Sequence, residues 1–135
     1  QTSTRCLARG RKGKEIMKDS ELRTRTKALA LHIINVCDDV DTRKGRGVLV
    51  NQIVRSAASI GANIHEANYA ASKADFINKF HIALKECSET EYWIELLYES
   101  EYINKDEFDS IYEDCQEQMK LIVASTKTLQ GRNNS

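Results

Sequence analysis

Between Arg55 and Leu96 the chain reads RSAASIGANIHEANYAASKADFINKFHIALKECSETEYWIEL, two long stretches parted by a short break at about Ala70–Ser72. Apolar residues return every three or four positions in both stretches. That period puts them on one face of a helix. No proline occurs in the 135 residues, and five of the six glycines (10, 13, 45, 47 and 131) fall mainly outside the periodic segments. A chain so free of helix breakers reads as all-helical.

Four helices are expected. The first spans about Ser20 to Val40, with Ser20 as N-cap, Glu21 in the first turn, and Leu22, Leu29, Ile33, Val36 and Val40 on one face. The polar run DDVDTRKGRG ends it. The second spans about Gly47 to Tyr69 and turns Ile53, Ala57, Ile60, Ile64 and Ala67 inward. Gly61 costs about 1 kcal/mol inside a helix, and close packing is its expected compensation. The third runs from Lys73 to about Tyr102, behind a Ser72-x-x-Asp75 cap, with Phe76, Phe80, Ala83, Cys87, Ile94 and Leu97 inside. The fourth begins at Asn104, capped with Glu107, and runs to about Leu129. It buries Phe108, Ile111, Cys115, Met119, Ile122 and Leu129, and Gly131 stops it. Four such helices with short loops predict an all-α, antiparallel up-down-up-down four-helix bundle over residues 17–131, with 132–135 as a frayed tail.

The first 16 residues look foreign to the rest. They hold Arg5, Arg9, Arg11, Lys12 and Lys14 against Glu15, and Met17 then opens MKDSELR like a natural start. A mobile, basic tail of upstream or non-native sequence is the expectation. Beyond it the chain carries 15 basic and 19 acidic residues, a net of −4, although the whole chain sums to zero. Residues 71–119 carry four basic and 13 acidic residues, a net of −9, a poor general surface for nucleic acid. No apolar run reaches membrane-spanning length and no signal peptide shows, so a cytoplasmic protein with no membrane contact is expected. Cys6, Cys37, Cys87 and Cys115 are too scattered to form a zinc pair; Cys37, Cys87 and Cys115 fall on or beside apolar faces and read as small buried hydrophobes of a reducing compartment.

Two further stripes do not read as solvated surface. Arg55, Ser59, Asn63 and Glu66 lie roughly opposite the core face of the second helix. Ile82, Glu86, Glu89, Trp93 and Leu96 form a stripe on the third, bordered by Lys85. Tryptophan and arginine are enriched at the energetic centres of interfaces. The stripes are expected to join helices or subunits, with Arg55 holding Glu86 or Glu89 in a forked pair. If that pair is deeply buried, Arg55→Ala costs about 3–5 kcal/mol.

Catalytic and metal chemistry finds little support. A di-iron bundle needs Glu-x-x-His, and Leu29, Ala62 and Asn78 stand three before His32, His65 and His81. Ser56 and Ser59 have no nucleophile elbow, Cys87 and His81 fall on different sides of their helix, and no phosphate loop exists. No catalytic residue, metal or cofactor is assigned. The loop residues Arg43, Lys44 and Arg46 are the best candidates for contact with a polyanion, RNA or DNA. A symmetric ring would multiply that weak patch.

The pattern RS-x-x-SIGANI-x-EA followed by ALKE-x-x-ET-x-YW resembles the four-helix-bundle proteins encoded in 23S rRNA intervening sequences. A related branch is the accessory variability protein of diversity-generating retroelements. The resemblance spans about Leu22 to Leu129. It implies a ring-like homo-oligomer, usually a pentamer, and matches Arg55, Ser59, Asn63, Glu66, Lys85, Glu86, Glu89 and Trp93. No firm activity attaches to the intervening-sequence branch. The retroelement branch is similar to a nucleic-acid chaperone that binds a reverse transcriptase and uses a markedly basic surface, and the acidic balance here departs from it. The expected role is a non-enzymatic structural or adaptor protein. The alternative is a nucleic-acid-binding accessory factor acting around rRNA or with a reverse transcriptase on RNA or a DNA–RNA hybrid.

Overall fold

The computed structural model describes the backbone of residues 10–40 and 45–134, and side chains over 21–40 and 45–131. Four helices form a bundle: α1 (Gly10–Asp38), α2 (Gly47–Ala67), α3 (Lys73–Glu99) and α4 (Lys105–Asn134). Each packs on its neighbours in chain order and α4 returns to α1, so the four surround one core. The α2–α3 seam is the most extensive and α1–α4 the least. Among the described residues no helix is long and apolar enough to cross a membrane.

The caps explain most of the boundaries. Ser72 Oγ accepts from Asp75 N at 3.1 Å, and Asp75 reaches back to Ala71 N at 3.3 Å. Asn104 and Glu107 close a reciprocal box at 2.8 and 2.9 Å. Both caps satisfy backbone donors that a helix start leaves free. Gly45 adopts φ +85° in the turn before α2, a conformation glycine takes without cost.

Three helix ends differ from those expected. Helix α1 begins at Gly10, not Ser20, so Ser20 lies inside it and is no cap. Lys12, Lys14, Met17 and Lys18 are good helix formers, and no proline interrupts them. Helix α3 stops at Glu99 rather than near Tyr102, because Glu101 turns to φ +64°. There Tyr102 N bonds Leu97 O at 2.8 Å and Glu101 N bonds Tyr98 O at 2.9 Å, a Schellman closure without its usual glycine. Helix α4 passes through Gly131 to Asn134, since one glycine weakens a helix without ending it. Gly61 lies against α1, yet a Cβ there would sit 3.5 Å from Thr26 Oγ1 and 3.6 Å from Lys27 N, ordinary contact distances. Close packing therefore leaves room for alanine.

The core matches the period-3.6 reading on α2, where Ile53, Ala57, Ile60, Ile64 and Ala67 are all buried. Elsewhere some expected core residues lie partly open: Val36, Phe76, Phe108 and Met119 pack against the core from its rim, and Leu129, expected inside, is only partly buried. Cys37, Cys87 and Cys115 are buried free thiols. Burial, with Asp38 and Glu107 nearby, pushes the Cys37 thiol up to about 11. Buried hydroxyls are satisfied within their own helices: Thr26 on Leu22 O, Thr90 on Glu86 O and Thr126 on Ile122 O, all within 2.9 Å. Gln118, only 2% exposed, buries an Oε1 that meets no partner.

Candidate functional site

The two stripes meet along the outer edge of the α2–α3 seam. Arg55 Nη2 pairs with Glu89 Oε2, and Arg55 Nη1 lies 3.8 Å from Glu86 Oε1. Arg55 Nε reaches Gln52 Oε1 on its own helix at 3.4 Å. Trp93 Nε1 donates to the same Glu89 oxygen at 3.0 Å. Glu89 and Trp93 are one turn apart on α3, so one carboxylate receives a donor from each helix. Trp93 is half-buried against the core, and the exposed Tyr92 ring meets its edge at 5.2 Å. Further along, Glu66 pairs with Lys79 at 3.1 Å. As residue numbers rise on α2 through these pairs, they fall on α3.

The expected members of the stripe are not all engaged across the seam. Asn63 Nδ2 donates to Ser59 O at 2.8 Å, a bond inside α2. Lys85 is exposed beside the pair. The Arg55 side chain is itself 50% exposed, so within one subunit its pair is not the deeply buried one that a 3–5 kcal/mol penalty requires. Glu86 is different. Its side chain is 20% exposed and its Oε1 is shielded from water without a hydrogen-bond partner. Burial first, then the Glu89 charge, holds its carboxyl above the usual range, while Arg55 pulls the other way.

Arg43 and Lys44 lie outside the described residues. Arg46 precedes α2, and its guanidinium sits 4.4 Å from the Tyr102 ring centroid. This cation–π contact ties the start of α2 to the α3–α4 turn. Among the described residues no three His, Cys, Asp or Glu side chains gather as a metal would need.

The sequence reading passed over a polar chain on the α1–α4 seam. Ser110 Oγ lies 2.8 Å from His32 Nε2, His32 Nδ1 lies 3.1 Å from Asp114 Oδ2, and Gln118 Nε2 donates to Asp114 Oδ1 at 3.1 Å. Ser110, Asp114 and Gln118 follow the i, i+4 row of α4, a signal present in the sequence. The fourth member, His32, stands 78 residues away from Ser110, and only packing brings it in.

Comparison with known proteins places this architecture. The model of the 23S rRNA-intervening sequence protein family matches residues 18–124. A solved structure from Bacteroides thetaiotaomicron, a protein with unknown function from the S23 ribosomal protein family, is 45% identical over 82% of this chain and 99% of that one, with a TM-score of 0.77. No curated protein matches the chain. The matched span takes in the apolar core and both outer stripes, and the chain belongs to the 23S rRNA-intervening sequence protein family.

Proposed function

We propose that this protein is a non-enzymatic adaptor, an antiparallel up-down-up-down bundle that assembles with copies of itself into a ring, a homopentamer by preference. The observation that carries the reading is the outer edge of the α2–α3 seam. There the half-exposed Arg55, the half-buried Trp93 and the exposed Tyr92 ring share one edge around Glu89. Arginine and aromatic rings are enriched at the centres of interfaces, and a second copy packed on this edge would cover them. The inverse run of residue numbers across α2–α3 supports the antiparallel order. Light scattering tests the assembly: the expected mass is about five times the 15.3 kDa chain. A 15.3 kDa species at all concentrations would overturn it.

A second reading, an accessory factor that binds RNA or a DNA–RNA hybrid and partners a reverse transcriptase, rests on Arg43, Lys44 and Arg46. The net of −4 beyond residue 16 (15 basic against 19 acidic) weighs against it, as does the engagement of Arg46 by Tyr102. Retention of structured RNA that weakens steeply with salt would favour this reading over the first.

A further inference from the structure

We propose that Ser110 is a nucleophilic acylation site, armed by His32 and Asp114 across the α1–α4 seam. Ser110 is exposed, so an acyl donor can reach its hydroxyl. His32 Nε2 lies 2.8 Å from that oxygen, and His32 Nδ1 lies 3.1 Å from Asp114 on the far side of the ring. The tautomer with its proton on Nδ1 satisfies both contacts: Nδ1–H donates to Asp114, and Nε2 accepts from Ser110. That is the orientation a general base needs beside a hydroxyl nucleophile. Asp114 is fixed in turn by Gln118, which is 2% exposed. The chain therefore runs from a buried amide to a surface hydroxyl, on two helices that hold each member in place.

The step balances without a metal or an oxidant. Ser110 Oγ attacks the acyl carbon as its proton passes to His32 Nε2. The bond to the leaving group then breaks, and the leaving group takes that proton from His32. Asp114 and Gln118 are positioning residues, since neither touches the acyl donor. Ser110 lies inside α4, where each backbone N–H already serves the carbonyl four residues back. No backbone oxyanion hole faces the hydroxyl. The donor must therefore bring its own activation, as an ester or thioester with a good leaving group. Asp106, Glu113 and Asp114 lie within four positions of Ser110 on α4, whereas Asp109 is paired with Lys105 at 2.8 Å, and this acidic balance disfavours anionic donors. Missing oxyanion stabilisation also slows hydrolysis of the acyl-serine. The product is a persistent modification rather than turnover, which sits beside an adaptor role without requiring it.

The full chain, incubated with p-nitrophenyl acetate, tests this by the nitrophenolate burst and by peptide mass mapping. Acetyl is expected on Ser110, well ahead of Ser88, an exposed serine on α3. Ser110→Ala should abolish that burst. His32→Gln keeps polar contacts across the seam but removes the base, and should slow Ser110 labelling about a hundredfold. Asp114→Asn should also slow labelling and change its pH profile, with helix content unchanged by circular dichroism. Labelling of Ser110 no faster than Ser88, or a rate indifferent to His32→Gln, would overturn the proposal.

Discussion

The α2–α3 and α1–α4 seams close the same bundle by different physics. Along α2–α3, Ala57, Ala83 and Cys87 are small and fully buried, and Ser56 and Thr90 meet hydroxyl to hydroxyl at 2.9 Å. Charge is kept to the outer edge. Along α1–α4, side-chain bonds carry much of the contact: Arg25 with Glu117, His32 with Asp114 and Ser110, and Gln118 with Asp114. Burial of apolar surface is non-directional and strong, whereas exposed pairs add little energy but demand a particular register. The first seam is where stability should reside. The second is where polar side chains fix the register.

Substitution along each seam tests that division. The largest effect is expected at Ile60, fully buried on α2: Ile60→Ala should lose about 2–5 kcal/mol in denaturant unfolding, and a loss as small as that of a surface change would break the comparison. Thr90→Val keeps the side-chain shape but removes the hydroxyl from Ser56 and Glu86 O. It should cost about 1 kcal/mol by the same measurement. Gly61→Ala, on the intervening α1–α2 seam, should gain up to about 1 kcal/mol, because the methyl meets only ordinary contacts; a loss would show that α1 cannot yield there.

Smaller effects follow from charge. In the isolated subunit, Glu86 has a carboxyl raised above its unfolded value, so its contribution is fully present below the ordinary carboxylate range. That contribution is lost as pH rises through the raised value. Glu86→Gln should flatten this part of the melting-temperature profile and leave the monomer more stable at neutral pH. Arg25→Ala should shift stability by no more than about 0.5 kcal/mol, since Arg25 and Glu117 are 42% and 61% exposed. A loss of several kcal/mol there would erase the distinction between the seams.

The helices were legible because the apolar period is strong and the caps are local. Ser72 and Asn104 lie within three residues of the groups they bond, so their roles show in the sequence. Glu101 was not legible: a glutamate at positive φ contradicts its own preference, and only the Leu97–Tyr102 closure holds it there. The start of α1 at Gly10 is hidden for a related reason: Ser20 has the chemistry of a cap, and the helix formers before it carry no start signal of their own. At the site, Arg55 was expected to meet Glu86 or Glu89, and the fold brings it to Glu89 with Glu86 close by. The amide of Asn63 looked equally available and turns back onto Ser59 O, a choice between competing acceptors that spacing cannot express.

By itself the sequence determined four helices, their apolar faces and the family, because periodicity and capping act over three or four residues. Tertiary structure alone decided which polar groups were satisfied. It left Glu86 Oε1 without a donor, laid Arg46 on Tyr102, and brought His32 between Ser110 and Asp114. Hydrogen bonds and ion pairs depend on distances of about 3 Å between groups far apart in the chain. Those distances exist only once the helices have packed.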